Sequence, residues 1–328
     1  MISYEWCPQL VDEDLDEVLA LVAASAEYDD EAGFTRVDPD LVRERDGVDG
    51  AIRHLAIKAR RDLGPDEDGP KVVVAYLHLA VDENRIGTVS YVVHPDFRSR
   101  GITTLLVEQI GLDIDERAGW VGSGADALRC WAYATHPASE RLTKRFRVPA
   151  VSRQWTLVRP LAGPYALPVE RPGTPTGASI SESRPIRADD DDVVALLGRA
   201  RLPEVQRDRL GVDMRRGTGQ VAFARNDDDQ VIGFVWYSTE THVHSELRTA
   251  SVDALIVAAD DRGCGLGGAL LAEALERQRD AGVQLSMLRI DPDDVAAVRM
   301  CRLLGFEQED AHACYQVGQT TAPPPAFE

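Results

Sequence analysis

Two short segments of the chain carry residue types that can bind a phosphate. Residues 262–268 read Arg-Gly-Cys-Gly-Leu-Gly-Gly, and residues 98–104 read Arg-Ser-Arg-Gly-Ile-Thr-Thr. Each follows a β-branched run and opens an apolar helical pattern. A turn that exposes several main-chain N–H groups at the start of a helix can bind a diphosphate, and glycine lets the phosphate approach closely. Arg262, and Arg98 with Arg100, would add positive charge beside the two turns.

Residues 262–268 also fit the G-x-G-x-x-G pattern of dinucleotide-binding folds, through Gly263, Gly265 and Gly268. Asp291 stands where such folds carry a ribose-binding acid. Only residues 292–328 follow, too few for the further strand–helix units of that fold, and a hairpin pattern precedes the turn. Neither segment is followed by the lysine of a nucleotide-hydrolysing P-loop. A strand-to-helix turn without a ligand remains the other interpretation.

The two segments mark an internal repeat. Gly101 and Gly265 are 164 residues apart, which is half of the 328-residue chain. Between the copies, five prolines from Pro160 to Pro175 exclude a helix or a central strand and indicate a linker. The predicted organisation is a first domain at 1–160, a linker at 161–178, a second domain at 179–319 and a flexible tail at 320–328.

The second copy shows the order of its elements most clearly. The predicted elements are a strand at 180–186, a helix that starts at the acidic run 189–192, a hairpin of 220–225 with 231–238, a strand to Val257, a helix to about Asp280, a strand at 283–290, a helix at 293–304 and closing strands at 306–317. We therefore expect an α+β (mixed α/β) fold in which each domain is a mixed, mostly antiparallel sheet flanked by helices.

The composition excludes several classes of protein. With 36 basic and 55 acidic residues the formal net charge is −19, so the surface repels nucleic acids. No run approaches the ~18 apolar residues of a membrane span, and the start of the chain lacks a signal-peptide pattern, so we expect a cytoplasmic protein without a membrane partner. Five scattered cysteines indicate unpaired thiols, and His242 with His244 has no third ligand nearby. We expect a monomer that binds no metal.

The turn and a later segment resemble one enzyme family. The pattern R/Q-x-x-G-x-G/A between a strand and a helix is similar to the acetyl-CoA diphosphate loop of GNAT acetyltransferases. Asp294–Phe306, which ends in Leu-Gly-Phe, is similar to a later helix of the same family. Within that family, the tandem mycothiol synthases are similar over both copies and the linker. The resemblance implies two tandem GNAT domains, the second active, that transfer acetyl from acetyl-CoA to a primary amine of a small polar metabolite, such as the cysteinyl amine of desacetylmycothiol.

The resemblance also implies which residues contact acetyl-CoA. In the second copy they are Leu255, Ile256, Val257, Arg262, Gly263, Cys264, Gly265, Leu266, Gly267, Gly268, Asp294, Val295, Ala296, Ala297, Val298 and Arg299. In the first copy they are Tyr91, Val92, Val93, Ser99, Arg100, Gly101, Ile102, Thr103 and Thr104. Thr103 replaces the usual glycine, so binding of acetyl-CoA by the first copy stays open.

The catalytic positions of the second copy depart from the family. The family's substrate-binding Lys, general-base Glu, substrate-binding Tyr and general-acid Tyr correspond to Ser238, Ser251, Arg289 and Cys301. Asp253, two residues beyond Ser251 on the same strand face, is the candidate base. Cys301 is the candidate acid, and Tyr315 on a closing strand is a substitute proton donor. Because of these departures, transfer to a different amine, such as an antibiotic or an amino sugar, and a non-catalytic acyl-CoA-binding module remain alternatives.

Overall fold

The computed structural model describes residues 2–29, 37–46, 51–60, 70–115, 118–135, 137–187, 191–216 and 218–323. The strands are β1 (Ser3–Cys7), β2 (Ile52–Arg60), β3 (Lys71–Val81), β4 (Ile86–Val93), β5 (Ala127–Ala132), β6 (Ala150–Pro160), β7 (Ala178–Ile180), β8 (Arg184–Pro185), β9 (Gln220–Asn226), β10 (Val231–Tyr237), β11 (His242–His244), β12 (Leu247–Val257), β13 (Leu285–Ile290) and β14 (Glu307–Gly318). The helices are α1 (Asp12–Tyr28), α2 (Pro39–Arg43), α3 (Ile102–Ile110), α4 (Pro137–Phe146), α5 (Asp191–Arg199), α6 (Glu204–Arg216), α7 (Leu266–Asp280) and α8 (Val295–Leu303).

The described residues form two compact units. The first holds the residues up to Arg153 together with those from His312 onward, and the second holds Gln154–Ala311. Each unit is a mixed, mostly antiparallel sheet with helices on its faces. The predicted α+β class is therefore confirmed.

In the first unit the strand order is β1-β2-β3-β4-β5-β14. Among the described pairs of this unit, β4 and β5 run parallel and the others antiparallel. Val18, Leu21 and Val22 lie at helical spacing on α1 and pack on one face of the sheet. Ile102 and Leu106 of α3 pack on another apolar cluster of this unit. The parallel pair is where the first repeat carries its glycine-containing turn.

In the second unit the strand order is β6-β13-β12-β10-β9-β7, with β11 on β12 and β8 on β9. β12 and β13 run parallel, like their counterparts in the first unit. All seven residues of β10 are buried, because apolar helices cover both of its faces. Leu270 and Leu271 of α7 belong to one core cluster, and Val193 and Leu196 of α5 to the other.

The closing strand of each repeat belongs to the sheet of the other unit. β6 pairs with β13 from Trp155 to Pro160, and β14 pairs with β5 from Ala313 to Gly318. The boundaries between the compact units therefore lie after Arg153 and after Ala311, whereas the predicted domains were 1–160 and 179–319. The alternation of apolar residues along a strand does not depend on which sheet the strand joins. It therefore could not indicate that β6 and β14 each pair in the sheet of the other repeat.

The predicted linker and tail are held by arginines. Arg171 forms ion pairs with Glu273 and Glu276 of α7, so the linker packs on the second unit. In the first unit, the buried Arg129 donates hydrogen bonds to the carbonyl oxygens of Ala322 and Pro323, each at 2.8 Å. The start of the predicted flexible tail thus contacts the first unit, and residues 324–328 lie outside the described part.

The described residues can be examined for membrane-spanning helices, disulfides and metal-binding groups. None of their helices is both long and apolar enough to cross a bilayer. The five cysteine thiols are unpaired. Within the ranges that the structure describes, no group of three or more His, Cys, Asp or Glu side chains could hold a metal ion. His244 instead lies 2.8 Å from the Glu309 carboxylate.

Two histidines are buried side by side in the first unit. His54 and His78 are cross-strand partners on β2 and β3, with ring centroids 5.2 Å apart. His54 Nδ1 lies 2.7 Å from the Tyr76 hydroxyl, and His78 Nε2 lies 3.1 Å from a Glu44 carboxylate oxygen. The pKa of each imidazole is lowered from 6.5 to about 4, by burial in both cases and, for His54, also by the nearby His78. Both rings are therefore neutral near pH 7.

We predict that acid destabilises the first unit through this pair. The unfolded chain binds protons on both imidazoles as the pH falls below 6.5, whereas the folded chain does so only near pH 4. The histidines therefore leave the free energy of unfolding undiminished above pH 6.5. As the pH falls from 6.5 to about 4, that free energy decreases by up to about 3 kcal/mol per histidine. Urea denaturation of the wild type and of His78→Gln at several pH values measures this decrease in the free energy of unfolding. The variant should lose about half as much stability, and identical pH slopes would contradict the assignment.

Candidate active site

The second unit contains a gap where its two parallel strands separate. β12 and β13 pair from Thr249 with Leu285 to Val252 with Leu288. Both strands then continue, to Val257 and Ile290, without pairing with each other. Beyond Val252 the main chain of β12 is paired with β10 on one edge, and its alternate N–H and C=O groups on the other edge face the gap.

A β-bulge lies at the start of this gap. Trp236 of β10 pairs with Ala254, but Tyr237 pairs with Val252, so Asp253 is an extra residue in β12. Bulges turn a side chain and locally free main-chain groups from the ladder. The candidate base therefore stands at the point where the two strands part.

The turn that follows β12 has the backbone of an anion-binding loop. Gly263 and Gly265 have φ values of 81° and 94°, which strongly favour glycine. A Cβ atom at either position would meet no atom within 4 Å, so the space beside the turn is open. The first N–H groups of α7 follow directly and carry the partial positive charge of a helix N-terminus.

The other two glycines of the turn serve packing. A Cβ at Gly267 would lie 3.2 Å from Met300 Sδ, and one at Gly268 would lie 3.3 Å from Pro172. Leu255 and Val257 are each 3.9 Å from the same point at Gly267. The end of β12, the start of α7 and the end of α8 therefore meet at this turn. These are the elements on which the predicted acetyl-CoA contacts of the second copy lie.

Arg262 holds the turn in place through main-chain carbonyls. Its Nε donates to the Val257 carbonyl oxygen at 3.2 Å and its Nη2 to that of Ala200 at 2.5 Å, just after α5. Sequence reasoning assigned this arginine to charge near a phosphate, whereas the structure gives it these two anchoring contacts. Asp294, also a predicted contact, accepts a hydrogen bond from Ala297 N and so caps α8.

Charged side chains surround the bulge. The hydroxyl of Ser251 hydrogen-bonds to the Asp253 carboxylate, with Arg289 and Asp213 within electrostatic range. Although Asp253 is exposed, the protein around its carboxylate displaces water and raises its pKa above the usual 3.8, and Asp213 raises it further. The hydrogen bond from Ser251 and the charge of Arg289 act in the opposite direction. A carboxylate with a raised pKa at an open gap has the properties of a general base.

A buried amide fixes the strands just before they part. Gln278 of α7 is fully buried and donates from Nε2 to the carbonyl oxygens of Ser238 and Ser251, at 3.0 and 2.9 Å. Its Oε1 accepts a hydrogen bond from the Ser286 hydroxyl at 2.7 Å. One side chain thus joins β12, β13 and the end of β10 beside Asp253.

The two candidate proton donors lie in different surroundings from Asp253. Cys301 is 1% exposed within an apolar core cluster, and burial raises the pKa of its thiol to about 12. Tyr315 lies on the part of β14 that belongs to the first unit, where it pairs with Cys130 of β5. The closing strand of the second unit is β6, and its residue Thr156 pairs with Arg289 of β13. The roles of Cys301 and Tyr315 in catalysis stay predictions.

The first unit also has parallel strands that separate, but without the bulge and without the charges of the second gap. β4 and β5 pair up to Thr88 with Arg129 and then separate. The following residues, Val89 and Cys130, correspond to Asp253 and Arg289. Burial raises the pKa of the Cys130 thiol to about 11, so this side chain is neutral near pH 7.

The turn of the first unit is also similar in backbone and different in side chains. Ser99 and Gly101 have φ values of 60° and 78°, at the positions of Gly263 and Gly265. Arg98 donates from Nε to the Val93 carbonyl oxygen and pairs with the carboxylate of Asp29. The Thr103 hydroxyl lies 3.1 Å from that of Tyr91. The acetyl-CoA contacts expected of the first copy, between Tyr91 and Thr104, stay a prediction.

Sequence reasoning missed Asp213 and Gln278. Asp213 lies on α6, a helix with many charged residues and a weak apolar pattern, which the sequence did not indicate. Gln278 lies on a helix that was predicted, but no pattern distinguishes a buried glutamine from an exposed one.

The comparisons with known proteins agree with this geometry. A model described as the acetyltransferase (GNAT) family matches residues 191–306. A mycothiol acetyltransferase of Salinispora arenicola is 30% identical over 316 residues, which cover 92% of this chain and 93% of that protein. A mycothiol acetyltransferase of Saccharomonospora viridis is 28% identical and covers 97% of this chain and 100% of that protein.

Two solved structures share the fold. A tandem GNAT protein from the clavulanic acid biosynthesis pathway has a TM-score of 0.57 and 20% identity, with 97% of this chain and 98% of that chain covered. A GCN5-related N-acetyltransferase from Sphaerobacter thermophilus also has a TM-score of 0.57, with 19% identity and 95% of both chains covered. With the repeated turn and the separated strands, these similarities show that the chain belongs to the GNAT acetyltransferase family and is a tandem acyltransferase enzyme.

Proposed function

We propose that the second unit transfers the acetyl group of acetyl-CoA to a primary amine of a small polar metabolite. The single observation that carries the proposal is the gap between β12 and β13, with an open glycine turn at one end and the Asp253 carboxylate at the other. The turn would bind the diphosphate of coenzyme A, because main-chain N–H groups and a helix N-terminus attract it. The thioester would then lie along the exposed edge of β12.

The reaction needs an unprotonated amine and a polarised carbonyl. Asp253 would accept the proton of the acceptor ammonium, directly or through one water, and the amine nitrogen would attack the thioester carbon. A main-chain N–H of β12 beyond the bulge would donate a hydrogen bond to the carbonyl oxygen as negative charge develops there. The C–N bond forms and the C–S bond breaks, so that coenzyme A leaves as a thiolate. The nitrogen gives up its second proton to solvent as the amide forms, and the thiolate, with a pKa of about 8.5, can take a proton from solvent in turn.

Two kinds of amine acceptor are compatible with this chemistry. The relatives named mycothiol acetyltransferase support the cysteinyl amine of desacetylmycothiol as one candidate. Ser238, Ser251, Arg289 and Cys301 stand at the family's four substrate and catalytic positions, which favours a different amine. Both candidates use the same acetyl-CoA chemistry.

We expect Gly265→Ala to weaken acetyl-CoA binding at the second unit. The methyl group would strain a residue with a φ of 94° and occupy the open space beside the turn. Because a strained turn costs on the order of 1 kcal/mol and the added methyl hinders the phosphate, KM for acetyl-CoA should rise about tenfold in a thiol-release assay. Gly101→Ala is the matched control, since this residue also has a positive φ and open surroundings. Equal effects of the two variants would contradict the proposal.

We expect Asp253→Asn to lower kcat about 10²-fold or more, because the amide cannot accept the ammonium proton. KM for acetyl-CoA should stay unchanged, since the substitution keeps the size of the side chain. Asp228→Asn, an exposed carboxylate in a hairpin turn of the same unit, is the control and should retain the wild-type rate. A near-normal kcat of Asp253→Asn would remove this residue from the mechanism.

The pH dependence of kcat/KM should identify the same group. The rate falls in acid as Asp253 is protonated, at a pH above the usual aspartate pKa of 3.8 because that pKa is raised. Asp213→Asn removes a charge that raises it and should move the acid limb to lower pH. Ser251→Ala removes a hydrogen bond that lowers it and should move the limb to higher pH. Limbs that coincide in all three proteins would show that another group titrates.

A further inference from the structure

A charged pair stands at the entrance of the second gap. Val252 and Leu288 are the last paired residues of β12 and β13, so Asp253 and Arg289 are the first residues beyond the split on either strand. Both side chains are exposed. The structure therefore presents an acid on one strand and a guanidinium on the other, at the place where the acceptor must meet the thioester.

The fold does not need this pair to form the gap. The first unit separates its parallel strands at the same register with Val89 and Cys130 at these positions. The charges are thus a property of the second gap alone among the two described. An exposed charged pair contributes little to stability in any case, so its presence is better explained by what enters the gap.

The charges around the pair differ in what they attract. Asp253 and, from α6, Asp213 would favour an ammonium group. Arg289 would repel the same ammonium unless the acceptor also carried negative charge. A guanidinium has a planar fork of donors that matches a carboxylate or a phosphate. An acceptor with both an amine and an acidic group would therefore be bound at both ends.

We propose that Arg289 is a specificity-determining residue that binds a carboxylate or phosphate group of the amine acceptor. The proposal rests on the proposed acetyl transfer and adds the substrate class, an amine that also carries an anionic group. The proposal predicts a different substrate preference from that of an enzyme whose acceptor carries an amine and otherwise only uncharged groups.

Matched acceptors test the proposal on the full-length enzyme. The panel pairs serine with serinamide and glucosamine 6-phosphate with glucosamine, and adds the cysteinyl-glucosaminyl-inositol amine, with thiol release as the assay. We call serinamide, glucosamine and the cysteinyl amine uncharged acceptors because, apart from the amine itself, they carry no anionic group. A charge-assisted contact predicts that kcat/KM for at least one anionic member exceeds that of its uncharged partner by about 10- to 100-fold. The serine and the glucosamine pairs distinguish a carboxylate from a phosphate.

Arg289→Gln separates recognition from a structural role. We expect it to raise KM for the preferred anionic acceptor at least tenfold, to leave the uncharged partner within about twofold and to keep KM for acetyl-CoA unchanged. Arg279→Gln, an exposed arginine near the end of α7, is the control and should behave like the wild type.

Three results would overturn the proposal. The first is an equal loss for all acceptors in Arg289→Gln, with the acid limb moved to higher pH, since Arg289 would then act only on Asp253. The second is a wild-type enzyme that prefers the uncharged acceptors, the cysteinyl amine included. The third is an enzyme that acetylates no member of the panel although calorimetry detects acetyl-CoA binding. Absence of acetyl-CoA binding would instead refute the proposed function itself.

Discussion

The candidate site depends on the early end of one parallel strand pair. β12 and β13 share only four paired positions, from Thr249 with Leu285 to Val252 with Leu288. The unpaired edge of β12 would cost free energy if it were buried without partners, so a ligand with hydrogen-bonding groups can replace the missing strand. Gln278 holds the strands together just before they part, through contacts to Ser251 and Ser286. The position of the gap is therefore set by buried hydrogen bonds rather than by loose packing.

The internal repeat separates what the fold requires from what the chemistry requires. Both units have parallel strands that part, a turn with positive φ values and an arginine that donates to the carbonyl at the end of the strand, Val93 or Val257. These shared features belong to the fold. The charges at Asp253 and Arg289 occur in the second gap, whereas the first has Val89 and Cys130. We therefore assign chemistry to the second unit.

The sequence predicted the features that depend on local residue type. The glycine-containing turns between strand and helix, the offset of the repeat and the α+β class were all indicated, because turns and helices follow from short patterns. Pairing between strands is not local, so the bulge at Asp253 and the exchange of β6 and β14 could not be predicted. The sequence also favoured a buried apolar role for Cys301 over an acid role, and Cys301 lies in the core cluster of the second unit. Arg262 was correctly placed beside the turn, but only the structure shows its contacts with Val257 and Ala200.

Hydrogen–deuterium exchange of the whole 328-residue chain, with and without saturating acetyl-CoA, tests whether the gap and the turn bind the ligand. We predict that the amides of residues 253–257 and 263–268 exchange more slowly when acetyl-CoA is present, since the open strand edge and the glycine turn then hydrogen-bond to the ligand. Unchanged exchange in both segments, or protection confined to residues 89–104 of the first repeat, would contradict it.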